Sequence, residues 1–152
     1  MPAETRVLPA TDDDLPSIKA LIVELAETAG GGEGFDPEAA YGNCTLLMKD
    51  PDHFFLVAKE GPLVAGFIHF TIRQTALHLR PSGLIDEVVV STKYRERGIG
   101  RQLVLAAAAK CRELGCGEVE VSTLKTNARA RKFYKDCGFE EESVLLEMHL
   151  TE

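Results

Sequence analysis

Residues Tyr94 to Arg101, Tyr-Arg-Glu-Arg-Gly-Ile-Gly-Arg, join an apolar run, Leu84 to Val90, to a helix-like segment, and their types suit an anion. A helix start offers unpaired backbone N–H groups and the positive end of the helix dipole. Gly98 and Gly100 let the backbone approach a phosphate without Cβ interference, and Arg95, Arg97 and Arg101 add the matching charge. Two common nucleotide motifs fail on the same letters. A dinucleotide fingerprint needs a third glycine where Leu103 stands, and a Walker loop needs Gly-Lys-Ser/Thr, which is absent.

What remains is Arg-x-x-Gly-x-Gly, formed by Arg95, Gly98 and Gly100. Downstream, Asn127-Ala-Arg-Ala-Arg-Lys-Phe-Tyr-Lys-Asp-Cys-Gly-Phe139 places Ala130, Phe133 and Tyr134 at helical spacing behind an N-cap asparagine and ahead of a stop at Gly138. The two motifs, in this order, resemble the pyrophosphate turn and the Asn-x-x-Ala-x-x-Phe-Tyr-x-x-x-Gly-Phe segment of the GNAT N-acetyltransferase superfamily. Residues before about Leu63 match only in their pattern of elements. Ser91-Thr92-Lys93 replaces the frequent x-Pro-x segment, which alters the turn and leaves the phosphate-binding positions intact.

The resemblance implies acetyl-CoA as cosubstrate and no metal. Its pantetheine arm pairs with backbone groups of Val88 and Val90, its pyrophosphate lies on the N–H groups from Arg97 through Gly98, Ile99 and Gly100 to Arg101, and Asn127, Ala130 and Phe133 complete the cofactor side. The implied reaction is direct attack of a primary amine on the thioester. An alkylammonium has a pKa near ~10.4, so a carboxylate must help remove its proton. Glu87 is taken as base and Asp86 as the substrate-orienting group, with the reverse assignment open. Adjacent strand residues face opposite sides, so one carboxylate enters the pocket unless a bulge changes the parity. Tyr134 takes the family's general-acid position, the Val88 N–H is the oxyanion donor, and Phe35 and Tyr41 are candidate substrate contacts. The expected acceptor is a small, cationic amine; a protein or peptide amine, or a non-catalytic acetyl-CoA-binding module, are the alternatives. Homodimerisation through the last strand, Val144 to Leu150, is compatible with the resemblance.

The elements that must position these groups read as one domain over 1–152, of α/β (α+β) class: a mixed, mostly antiparallel sheet flanked by helices, with splayed central parallel strands. Thr5 to Leu8 reads as a strand. An acidic cap at Thr11 to Asp14 precedes a helix carrying Leu15, Ile18, Leu21, Ile22 and Leu25 on one face and ending near Ala29. Gly30 to Gly34 reads as a mobile loop, and Pro37 to about Met48 as a second helix. His53 to Lys59 and Leu63 to Ile72 form a hairpin about Glu60-Gly61-Pro62. Arg80 to Gly83 breaks the chain before strand Leu84 to Val90. A helix from Gly98 to Leu114, a strand from Glu118 to Thr123, a helix from Asn127 to Asp136 and a strand within Ser143 to Leu150 complete the order.

With 152 residues and 45% hydrophobic content the chain suffices for one buried core. A formal net charge of −7 disfavours nucleic acid as a partner. No apolar run approaches the roughly 20 residues of a membrane span, and Met-Pro-Ala-Glu-Thr-Arg lacks the apolar stretch of a signal peptide, so no membrane association and a cytoplasmic location are expected. Cys44, Cys111, Cys116 and Cys137 are expected to be reduced thiols, and His53, His69, His78 and His149 to be core or surface residues rather than metal ligands.

Overall fold

The chain, seen as a computed structural model that describes residues 4–28 and 35–151, opens with β1 (Thr5–Pro9) and a single 3-10 turn at Asp12–Asp14 that leads into α1 (Leu15–Thr28). The acidic cap acts through Asp14, whose carboxylate accepts the Thr11 N–H at 2.9 Å and meets Lys59 Nζ at 2.9 Å. Burial alone would push the Asp14 carboxyl up; the Thr11 N–H and the Lys59 ammonium outweigh it and hold the group below the usual carboxylate range. The expected glycine loop, Gly30 to Gly34, lies outside the described residues. α2 (Pro37–Leu47) starts where Asp36 accepts the Glu38 N–H and proline occupies the first turn.

The hairpin forms as expected, with β2 (His53–Glu60) antiparallel to β3 (Leu63–Arg73). β4 (Ser82–Val90) lies beside β3, α3 (Ile99–Glu113) crosses behind, and β5 (Glu118–Val121) returns parallel to β4. α4 (Ala128–Cys137) ends at Gly138, whose φ of 114° is a left-handed stop. Among the described residues the sheet order is β1-β2-β3-β4-β5. Its two faces carry separate cores. Ile68, Phe70 and Ile85 pack under Leu103, Val104 and Ala107 of α3, whereas Phe55, Val57, Phe67 and Val89 pack under Ile18, Leu21 and Ile22 of α1. The side-chain alternation of the strands is thus spent on both faces.

The last strand does not form: residues 139–151 belong to no helix or strand, and the fold differs here from the expectation. Val144, Leu146, Met148 and Leu150 alternate as a strand would, but a strand closes its hydrogen bonds only on a neighbour. Glu142 is held by Arg131 at 2.8 Å and by Lys135 at 3.7 Å, on α4, and the residues after it lie exposed. β5 is consequently an edge strand rather than a central one, and it stops at Val121 instead of Thr123.

Gly66 sets how closely β3 and β4 approach. A Cβ there would stand 2.6 Å from the Val89 carbonyl oxygen, a backbone atom that cannot swing aside. Gly66→Ala is expected to lower unfolding free energy by about 1–3 kcal/mol through overpacking, read as a lower urea midpoint; an unchanged midpoint would show that the sheet relaxes freely.

Candidate active site

β4 and β5 are paired from Ser82–Glu118 to Ile85–Val121 and no further, while β4 continues to Val90. Beyond Ile85 its only sheet neighbour among the described residues is β3. The Ser91 N–H donates to the Ala65 carbonyl at 2.8 Å, on the β3 side. Alternation along the strand therefore turns the backbone groups of Val90 and Val88 to the open edge. Their side chains pack against the α3-side core. A cleft of about 310 Å³ lined by Leu21, Glu24, Leu25, Val88, Val89, Val90 and Arg95 runs beside this edge.

The anion turn follows at once. Glu24 of α1 reaches across to accept the Thr92 N–H at 2.5 Å and the Ser91 hydroxyl at 3.1 Å. The Thr92 N–H, with Ser91 and the charge of Arg95, holds the Glu24 carboxyl below its usual range. Glu96 and Gly98 take φ of 63° and 74°, which swings the chain into α3 with Gly98 as N-cap. Ile99 is buried, so only its backbone can serve an anion. Gly100 serves packing as well, because a Cβ there would meet the Phe133 ring at 3.3 Å. The three arginines divide. Arg97 bonds Glu60 at 3.0 Å and covers the Tyr94 ring; Arg101 donates to the Asp136 carbonyl, tying α3 to the end of α4. Arg95 is exposed beside the cleft.

A register shift between His69 and Phe70 leaves Asp86 as an extra residue in β4, since Phe70 pairs with Ile85 and His69 with Glu87. This bulge changes the parity, and both carboxylates come to the α1–α2 face. Glu87 Oε2 lies 2.5 Å from His69 Nδ1 and Asp86 Oδ2 lies 3.9 Å from His69 Nε2. Burial, with Glu87 adding and His69 opposing, pushes the Asp86 carboxyl above the usual range. From α2, the Cys44 thiol is pushed up to about 11 by burial and by the Glu87 charge.

Tyr134 is half-buried, edge-on to Phe133 and Phe139, and burial, then Cys137, pushes its hydroxyl above the ordinary phenol range, so it keeps its proton. Asn127 Oδ1 accepts the Ala130 N–H at 3.0 Å, which commits the oxygen to the cap and leaves the amide N–H groups as donors. Tyr41 faces Lys19, whose Nζ lies 5.1 Å from its ring centre, at the α1–α2 contact. Phe35 is exposed just ahead of α2. Sequence reasoning missed His69, His53, Cys44 and Glu24 at the site. A signal existed for the histidines: His53 and His69 are equidistant from Gly61 in the hairpin, which places them near one another across it.

The model of the Acetyltransferase (GNAT) family matches residues 18–139, most of the chain. Arabidopsis thaliana L-ornithine N5-acetyltransferase is 30% identical over 106 residues, 68% of this chain and 46% of that protein. N-alpha-acetyltransferase 30 of Dictyostelium discoideum is 30% identical over 104 residues, 68% of this chain and 55% of that protein. The chain spans about half the length of the curated relatives it matches. A solved aminoglycoside N-acetyltransferase in complex with CoA superposes with a TM-score of 0.83 at 19% identity, covering 99% of this chain and 98% of that one, a likeness of fold.

An added methyl at Gly98 would meet no protein atom within 4 Å, so within the protein its effect is strain in a left-handed backbone. Gly98→Ala is expected to cost about 1 kcal/mol by letting the free turn relax from its left-handed form, which binding must then restore, and so to raise the Kd for desulfo-coenzyme A roughly fivefold to tenfold by calorimetry. An unchanged Kd would remove the turn from the binding site.

Proposed function

The chain belongs to the acetyltransferase (GNAT) family, and from that membership we propose that it moves the acetyl group of acetyl-CoA to a primary amine on a small, cationic molecule. The observation that carries this reading is the parting of β4 from β5, which opens an edge of backbone donors and acceptors between a left-handed glycine turn and two carboxylates. Such an edge fits an amide-bearing arm laid down as a substitute strand, and the α3 N-terminus fits a pyrophosphate.

Acetyl-CoA supplies the acyl thioester. Val88 and Val90 align its arm through their outward N–H and C=O groups, and the Val88 N–H is the donor for developing negative charge on the acyl oxygen. Backbone N–H groups at Gly98 to Arg101, with Arg95 beside them, hold the phosphates. The Asn127 amide N–H groups steady the arm, and Phe133 fills the apolar side against Gly100. On the opposite face of β4, Glu87 takes the proton of the incoming ammonium and Asp86 orients the cation. Tyr134 returns a proton to the departing sulfur. Phe35 and Tyr41 border the acceptor end. A second reading, acetylation of a peptide N-terminus, is supported by the likeness to N-alpha-acetyltransferase 30; both share the chemistry and differ in the acceptor. The cytoplasm is the proposed location.

The proposed partner is a second copy. Val144, Leu145, Leu146, Met148 and Leu150 are between 65% and 89% exposed, an apolar strand pattern without a neighbour. β5 carries the complementary lack, a sheet edge open on one side. Exchange of the two tails between two copies would cover both edges by one two-fold operation.

Two measurements test these readings. With acetyl-CoA and spermidine, L-ornithine, kanamycin or a short peptide, free thiol should appear with one class of amine, and Glu87→Gln or Tyr134→Phe should lower kcat by about 10²-fold or more. Undiminished turnover in either variant would remove that residue from its role. In light scattering, the full chain should have the mass of two copies and a chain ending at Glu142 that of one; a monomer at tens of micromolar would sink the exchanged tail.

A further inference from the structure

His69 is 5% exposed, stacked on Phe55 at 4.3 Å between ring centres and on His53 at 5.1 Å. It makes two ring hydrogen bonds, Nδ1 to Glu87 Oε2 at 2.5 Å and Nε2 to His53 Nδ1 at 2.8 Å. The protons follow by elimination. A carboxylate only accepts, so the ring hydrogen of His69 stands on Nδ1. A neutral imidazole then has a lone pair at Nε2, and His53 Nδ1 must be the donor there. His53 is half-buried at the start of β2. The line His53–His69–Glu87 therefore crosses three adjacent strands with each hydrogen bond directed toward the carboxylate.

We propose that His69, with its tautomer set by His53, is the positioning residue of the acetyl transfer: it holds Glu87 in one rotamer as the base, which leaves Asp86 as the cation-orienting carboxylate. This rests on the acetyltransferase reading and decides between the two acids that the sequence leaves open. Only Glu87 receives a hydrogen bond from the imidazole, whereas Asp86 stands at 3.9 Å. Glu87 is itself half-exposed, and the same line gives it a second, buried route for a proton through His53. When a proton binds at His53 Nε2, the His53 Nδ1 hydrogen passes to His69 Nε2 and the His69 Nδ1 hydrogen passes to Glu87 Oε2. Each N–H bond that breaks is replaced by a new bond at the next acceptor, the entering proton accounts for the one further bond, at His53 Nε2, and the base is neutralised. Acid thus silences the site from its buried side. The groups that face the line are Asp86 beside Glu87 on β4 and Cys44 on α2.

The test compares wild type with His69→Leu, His69→Gln and His53→Phe, each checked by circular dichroism and by desulfo-coenzyme A affinity. The assay is thiol release from acetyl-CoA with spermidine, L-ornithine, kanamycin or a short peptide. His69→Leu should lower kcat about 10- to 100-fold, part of what a general base contributes, with coenzyme A affinity unchanged, and should move the acid limb of kcat/KM. His69→Gln, which keeps a donor, should regain rate without regaining the wild-type pH profile, and His53→Phe should shift the acid limb with a smaller loss. Wild-type kcat and pH profile in His69→Leu would overturn the proposal while leaving the acetyltransferase reading intact. Nitrogen-15 NMR of the histidine rings decides the matter without any turnover: an Nδ1–H resonance of His69 that shifts in Glu87→Gln supports the line, and a His69 ring protonated on Nε2 overturns it. Failure of the wild type to bind coenzyme A would instead count against the family chemistry.

Discussion

Backbone hydrogen-bonding groups inside a folded domain must find partners, and at the open edge of β4 this protein leaves some of them without a strand. Every other part of the site is placed around that edge. β5 stops at Val121 and ceases to be a neighbour. α3 begins after a turn that needs left-handed residues at Glu96 and Gly98. Glu24 reaches over from α1 to hold the Thr92 N–H and fix where that turn starts. An edge with such surroundings has the hydrogen-bonding pattern that a chain of amides would complete.

One extra residue in β4 separates the chemistry of the two faces. Without the bulge at Asp86, the carboxylates would alternate and one would turn toward the α3 core. With it, both face the α1–α2 side, while Val88 and Val90 keep their side chains on the α3 side and their backbones at the edge. The buried imidazole of His69 is the companion of this arrangement, because a carboxylate pair without a nearby donor would face only its own repulsion.

The anion turn, the asparagine-capped helix and the hairpin were legible because each depends on local rules: glycine at left-handed positions, capping side chains, period-two alternation about a tight turn. The last strand was not, since its alternation is plain in Val144 to Leu150 while its partner is a matter of tertiary or quaternary placement. The same distance from local rules hid the histidines. His53 and His69 read as scattered until register puts one ring on the other, and the carboxylate parity hinged on a bulge that no residue type announces. Arg97 matches a phosphate by charge, while its side chain is engaged by Glu60 at the turn of the hairpin, a partner that only the folded chain brings within reach.

The division of labour across β4 has a consequence for inheritance. The two carboxylates and Cys44 lie on the α1–α2 side, and the open backbone edge and the glycine turn lie along one strand and one helix start, with separate cores behind them. A substitution around Cys44 or Tyr41 can therefore reshape the α2 side while the strand edge and the glycine turn keep their geometry. Descendants of such a chain are free to vary one face of β4 long before the other has to follow.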